Sequence, residues 1–385
     1  MKKVGIITMH RVFNMGSVLQ AYATQECVKA LGFDAEIIDY VYPNIEHQIY
    51  LNSSSTPKKI PSLPNRIFTR LKSKLVRQKS DSRAIRRQKF EKFMSEFYNL
   101  SPCRYTNRYL LCKTPPVYDI YLTGSDQVWN PNYIGYDTSF MLGFAREKSA
   151  IKVAYAPSIS VNEIPEQFKE DYSTRLKEYT ALSVREQQAV NIVEELSGKN
   201  VTRVCDPTLL LSREEWIERL SDMRDDDTDE KKYFVVFILN YKFNPYPGVF
   251  NIIEKAHREY GGEIIVIHGE ISDYMKSQNA RFIPTADPKD FIYYLSRARF
   301  MVTTSFHGTV FALNFSIPFI CALDTADTDT RIPSLLADYG AERHGIPVDS
   351  VDIPSSITFD KGISQKISDL REHSKKYLKD ALNCK

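Results

Sequence analysis

Apolar and polar positions alternate in blocks along the chain, and the blocks predict a βαβ repeat. Val4 to Thr8 is a short, continuous apolar run, the pattern of a strand covered on both faces. A polar loop, His10 to Gly16, separates it from a predicted helix over Ser17–Leu31, which Gly32 ends. Ala35–Tyr40 is the next strand, so the chain opens on a unit of the kind that builds parallel sheets. Strands are expected again at Tyr118–Thr123, Lys152–Ala156, Ala181–Val184 and Val201–Val204, with a helix over Gln187–Glu195. After an acidic, apolar-poor stretch at Asp222–Glu230 the pattern restarts. Strands at Tyr233–Leu239, Glu263–His268, Phe300–Thr304 and Phe319–Leu323 then alternate with helices at Val249–Tyr260, Pro288–Ala298 and Thr309–Asn314. An amphipathic helix over Ile363–Leu382 closes the chain.

A length of 385 residues favours two domains. The acidic stretch sets the boundary, giving Rossmann-like halves at 1–221 and 222–385. Residues 44–115 read as a less regular, basic, helix-rich insertion in the first half. About a dozen Lys and Arg fall between Lys58 and Lys89, with Asp81 the sole acid among them, and Arg83–Tyr98 has helical apolar spacing. Such a run reads first as a solvated face, and alternatively as a surface for anionic lipid or an anionic substrate. The net charge of +3 argues against a nucleic-acid binder. Six scattered cysteines without C-x-x-C spacing read as reduced thiols of a cytoplasmic protein, with no zinc site. No stretch of about 20 apolar residues is present to span a membrane.

Ligands of open parallel sheets bind beyond the carboxyl ends of the strands, so the residues there are the candidates. They include Asn14 and Gly16; Ser125, Asp126 and Gln127; Arg185; Asn240 and Tyr241; His268; and Ser305, His307, Gly308 and Thr309. His307 lies between an apolar strand and a helix whose first N–H groups suit an anion, and histidine suits proton transfer near neutral pH. The alternative is a histidine that only caps the turn. Arg185 suits two-pronged carboxylate or phosphate recognition, or simply an ion pair with Glu186. Trp129 and Tyr133 are candidates to stack on a sugar, or to serve as core or rim aromatics. Asp327-Thr328-Asp329 has the form of a metal-binding D-x-D, a pattern common by chance. Neither a G-x-G-x-x-G after the first strand nor a Walker loop is present, which argues against NAD, FAD and P-loop chemistry.

Several of these blocks resemble the polysaccharide pyruvyl transferase family. Gly5-Ile6-Ile7-Thr8 with Asn14, Gly16 and Leu19-Gln20-Ala21-Tyr22 is similar to its opening; Gly124-Ser125-Asp126-Gln127-Val128-Trp129-Asn130 to a block of many bacterial members. Ser183-Val184-Arg185-Glu186 and Asp206-Pro207-Thr208-Leu209 resemble the end of its first domain. Ser305-Phe306-His307-Gly308, then Pro318 and Arg331, resembles its second-domain signature. The resemblance implies a GT-B-like fold with the active site in the interdomain cleft, and a last helix that crosses back to the first domain. It implies transfer of a pyruvyl group from phosphoenolpyruvate to two hydroxyls of a sugar, in a surface polysaccharide or its lipid-linked precursor. No redox cofactor and no obligatory metal are called for. Arg185 and His307 would be catalytic, and Asn14, Gly16, Ser125, Asp126, Gln127, Trp129, Ser305, Gly308, Thr309 and Arg331 would bind substrate. A lipid-linked acceptor would place the protein in the cytoplasm, peripheral to the inner membrane face. One position departs from the pattern: Ser305 stands where family members often carry Arg. Lys242, Arg297, Arg299 and Arg331 are candidates to replace that charge. A GT-B glycosyltransferase with a nucleotide-sugar donor is the alternative, and a non-catalytic sugar-binding protein a third reading.

Overall fold

The computed structural model describes the chain apart from residues 45–46, 48–68, 148–149, 221–230, 241–242, 327–330, 351, 355–356 and 385, and apart from the side chains of 69–80. Asp327-Thr328-Asp329, Tyr241 and Lys242 therefore lie outside the described residues, as does most of the basic run.

In the first half, strands β1 (Lys3–Ile7), β2 (Asp34–Tyr40), β3 (Leu100–Tyr105), β4 (Ile120–Thr123) and β5 (Ile151–Ala154) form a sheet in the order β3-β2-β1-β4-β5. All its pairings are parallel. A bridge from Val153 to Ala181 leads on to the parallel pair β6 (Leu182–Val184) and β7 (Val201–Arg203). In the second half, β8 (Tyr233–Phe237), β9 (Glu263–His268), β10 (Arg281–Phe282), β11 (Ala298–Thr303), β12 (Phe319–Leu323) and β13 (Gly345–Pro347) form a sheet in the order β10-β9-β8-β11-β12-β13. It too is wholly parallel. In each sheet the first strand lies inside, with the second and the fourth on either side. The order reverses there, which makes the carboxyl ends of β1 and β4, and of β8 and β11, the expected ligand edges.

Residues 98–105 are a correction to the expected insertion. Leu100–Tyr105 is a sheet strand, pairing Arg104 with Asp39 and Tyr105 with Tyr40. Its sequence, LSPCRY, lacks an apolar run and contains a proline. An edge strand with one solvated side tolerates both, and they hide it from a hydrophobicity pattern. The preceding helix is also longer than its apolar stripe, covering Thr69–Phe97. No helix among the described residues is long and apolar enough to cross a membrane.

The inner faces of both halves share one apolar core. Leu19 and Tyr22 of helix Met15–Ala30 belong to it together with Phe291 and Phe311 of the second half. Trp216 is a hub of that junction: its ring packs 5.9 Å from Tyr22 and 5.3 Å from Phe311, and its indole N–H donates to the Thr208 carbonyl at 2.9 Å. Separate cores cover the outer face of each sheet. The last helix, Lys361–Leu382, runs back to the first half. Ser374 Oγ accepts from the Cys205 amide at 2.9 Å, and the Tyr377 hydroxyl donates to the Ala154 carbonyl at 3.0 Å.

Candidate active site

The carboxyl edges of β1, β4, β8 and β11 converge on a cavity of about 410 Å³ between the halves. From the first half, Phe13, Asn14, Ser17, Tyr42, Asp126, Gln127 and Tyr133 line it; from the second, Asn240, His268, Ser305, Phe306, His307 and Arg331 do. Two helix starts frame it. Asn14 caps helix Met15–Ala30, its side-chain oxygen accepting from the Gly16 amide at 2.9 Å. Ser305 caps helix Phe306–Asn314 the same way, accepting from the Gly308 amide at 3.2 Å. An arginine at 305 cannot make that cap, so the departure at this position has a local structural use.

The halves meet most closely at Gly16 and His307. A Cβ on Gly16 would lie 2.0 Å from His307 Nδ1, so glycine is the residue that admits the imidazole. Opposite, His307 Nε2 lies 3.5 Å from Asp206 Oδ2 without making a hydrogen bond, and no other partner among the described residues satisfies it. Asp206 is fully buried. It receives Arg185 Nη1 at 2.9 Å, the Thr208 amide at 3.0 Å and the Thr208 hydroxyl at 2.7 Å. Burial alone would raise its pKa, but His307, Arg185 and the Thr208 amide outweigh burial and hold the carboxyl well below the usual carboxylate range.

Arg185 Nε also bonds Glu186 at 2.9 Å, and its guanidinium lies 4.1 Å from the centre of the Phe306 ring. Burial would lower its pKa, yet Glu186, Asp206 and Asp126 raise it, so the charge is secure. Arg331, also buried, stands 5.8 Å from the centre of the same ring. On the first half, Asp126 has φ +73° and accepts from the Ser17 hydroxyl at 2.5 Å, which turns its loop toward the cleft. Burial pushes the pKa of His268 down, with the Arg86 charge adding to it and a bond to the Ile238 carbonyl opposing it.

The structure thus brings Asn14, Asp126, Gln127, Ser305, His307 and Arg331 to one cavity, with Gly16 behind His307. Other expected residues stand elsewhere. Trp129 is fully buried, edge-on to Tyr179 at 5.6 Å, and offers no face to a sugar. Ser125 is spent on the Ala156 carbonyl at 2.7 Å, and Thr309 Oγ1 on the Ser305 carbonyl at 3.0 Å, neither lining the cavity. Gly308 serves packing: a Cβ there would meet Thr303 Oγ1 at 2.4 Å. Arg185 stands behind Phe306, engaged with two carboxylates, and does not line the cavity. Among the substitutes for the missing cation, Arg331 reaches the cavity. Arg297 is buried over Tyr293 and Arg299 is exposed beside Gly262. The pairing of Asp206 with His307 was not foreseen; the Asp-Pro at the end of β7 is its sequence trace.

Two Rossmann-like sheets facing each other across a cleft, with an imidazole and an arginine from the second half and the buried Asp206 carboxylate from the first, form a GT-B-like architecture. The chain belongs to the polysaccharide pyruvyl transferase family, whose profile matches residues 14–325, and is a transferase. No curated protein matches it. Solved structures are similar to it over most of their length at low identity. A UDP-GlcNAc 2-epimerase from Methanocaldococcus jannaschii is 13% identical over 96% of this chain and 92% of its own, with a TM-score of 0.50. UDP-GlcNAc 2-epimerase from Neisseria meningitidis is 11% identical over 100% and 95%, with a TM-score of 0.47. MurG from Acinetobacter baumannii is 10% identical over 99% of each chain, with a TM-score of 0.42.

Proposed function

We propose that the protein transfers a pyruvyl group from phosphoenolpyruvate to two hydroxyls of one sugar residue in a polysaccharide or its lipid-linked precursor, making a ketal. The observation that carries this reading is that His307 and Arg331, on the donor side, share one cavity with Asn14, Asp126 and Gln127, within a chain of this family. The reaction adds a proton to C3 of phosphoenolpyruvate, which leaves C2 electron-poor. One sugar hydroxyl bonds to C2, the C2–O bond to phosphate breaks, and the second hydroxyl closes the ketal. One hydroxyl proton ends on the new methyl group and the other on the departing phosphate. Proton traffic of this kind needs a group that both gives and takes protons. His307 is that group, faced at 3.5 Å by the Asp206 carboxylate, which Arg185 in turn holds in place. Arg331 offers its guanidinium to the donor's carboxylate or phosphate. Asp126 and Gln127 receive the sugar hydroxyls, and Tyr42 and Tyr133 give the ring an apolar face. Peripheral membrane contact rests on the basic segment Lys58–Lys89, most of whose basic side chains lie outside the described residues.

The test is ligand-induced stabilisation, because a ligand that binds only the native state raises its melting temperature. Phosphoenolpyruvate is expected to stabilise wild type, and the effect is expected to vanish in His307→Gln and Arg331→Gln. Stabilisation by UDP-sugars with no response to phosphoenolpyruvate would move the protein to the nucleotide-sugar reading.

A further inference from the structure

The helix Thr69–Phe97 spans the two halves beside the cleft. Near its end, Phe93 and Phe97 stack on each other at 4.6 Å and meet Tyr22 edge-on, which anchors the helix to the first half. Earlier on the helix, Lys89 Nζ reaches Asp290 at 2.9 Å and Asp287 at 3.9 Å, at the start of the second half's helix Pro288–Ser296. Residues four apart share a helix face. Arg86 therefore lies above Phe90, its guanidinium 5.2 Å from the ring centre. The Phe90 ring in turn meets Phe13, a wall of the cavity, edge-on at 6.0 Å. Across the cleft, the Arg86 charge is near enough to act on His268, another wall residue.

Arg86 differs from its neighbours in having no counter-charge among the described residues. Arg87 pairs with Glu91 at 2.9 Å and Lys89 with Asp290, whereas Arg86 has no carboxylate partner among the described residues. It is also partly withdrawn from water, and burial lowers its pKa. A cation that loses hydration without gaining an anionic partner is unfavourable unless a ligand brings the anion. It stands beside the cavity wall, next to Phe13 through Phe90 and near His268.

We propose that Arg86 binds a phosphate group at the mouth of the cleft, delivering a cation from the helix Thr69–Phe97. The phosphate comes either from the donor, which rests on the function proposed above, or from the linkage that joins the acceptor sugar to its carrier. Both present a tetrahedral anion that guanidinium bonds in two-pronged fashion.

The experiment measures dissociation constants by calorimetry for phosphoenolpyruvate and for glucose 1-phosphate, on wild type, Arg86→Gln, Arg86→Lys and Arg83→Gln. Arg83 is an exposed arginine of the same helix. Loss of one charged hydrogen-bond partner is expected to weaken binding by about tenfold or more. Arg86→Gln should weaken at least one ligand by that factor, Arg86→Lys should weaken it less, and Arg83→Gln should leave both unchanged. Weakening of phosphoenolpyruvate assigns the phosphate to the donor; weakening of glucose 1-phosphate alone assigns it to the acceptor linkage. Unchanged binding of phosphoenolpyruvate and glucose 1-phosphate by Arg86→Gln overturns the proposal and leaves the pyruvyl donor standing. Wild type that binds glucose 1-phosphate through Arg86 but ignores phosphoenolpyruvate reverses that result: the donor fails and the phosphate site stands. Wild type that binds neither overturns both. Because a variant can fold poorly, wild type is also treated with phenylglyoxal and digested for mass spectrometry. Arg86 should be modified and then protected by whichever ligand binds, and modification that no ligand slows also overturns the site.

Discussion

The approach of Gly16 to His307 joins the two halves at the proposed centre of chemistry, and Gly16→Ala tests it. The added methyl carbon would lie 2.0 Å from Nδ1, 2.1 Å from Cγ and 2.5 Å from Cβ of His307. Carbon contacts settle at about 3.5–4.0 Å, so the imidazole or the whole second half must retreat by roughly 1.5 Å. Overfilling a packed site in this way costs about 1–3 kcal/mol. A misplacement of about 1 Å at reacting groups lowers turnover by roughly 10²-fold. The sign of the stability change makes the test sharp. Gly16 lies in the first turn of helix Met15–Ala30, where alanine is intrinsically better by roughly 0.5–1 kcal/mol. In a His307→Gly background, which removes the three nearest clashing atoms, Gly16→Ala should therefore be neutral or stabilising. Urea unfolding of the four proteins in this double-mutant cycle should give a coupling of about 1–3 kcal/mol, the clash alone, because the helix gain is common to both backgrounds and cancels. Equal costs in both backgrounds would refute the contact, and with it the placement of His307 against the first half.

Further outcomes follow from the buried groups. Asp206 has its pKa lowered in the folded state, so the stability it contributes is complete above the unfolded carboxylate range near about 4 and is lost as pH falls toward the folded value. Asp206→Asn should thus be less stable at pH 7, by about 3–5 kcal/mol since Arg185 loses a buried partner, and its stability should fall less steeply with acid; a slope equal to wild type below pH ~5 would contradict this. Burial pushes the Cys27 thiol up to about 12 and the Cys205 thiol up to about 11. Iodoacetamide at pH 8 should label exposed Cys103 in native protein and reach Cys27 and Cys205 only in denaturant, as peptide mass mapping would show. Trp129→Phe should lower the melting temperature yet leave the phosphoenolpyruvate dissociation constant within about twofold, because Trp129 fills the core rather than the cleft.

What the sequence made legible follows the physics of each residue. The buried strands Lys3–Ile7 and Tyr233–Phe237 are nearly continuous apolar runs, so both parallel sheets were readable, and with them the edges where ligands collect. His307 was readable because it lies between such a strand and a helix. Strand Leu100–Tyr105 was not, because an edge strand needs no apolar run. Trp129 and Ser125 belong to a block with a polar look, but their side chains turn inward, and the direction of a loop residue depends on neighbours distant in sequence such as Phe140 and Ala156. The roles of Asp206 and Arg86 were hidden for the same reason. Asp206 acquires meaning from His307, about a hundred residues away, and Arg86 from the lack of a partner that its neighbours Arg87 and Lys89 have.

The central claim is tested most directly by carbon NMR of phosphoenolpyruvate labelled at C2, incubated with the protein and a mixture of bacterial lipid-linked and free oligosaccharides. The account predicts a new quaternary ketal carbon on the sugar, appearing in step with phosphate release and absent with His307→Gln. Persistence of the donor signal with every acceptor, while a UDP-sugar in the same mixture is consumed, would contradict it.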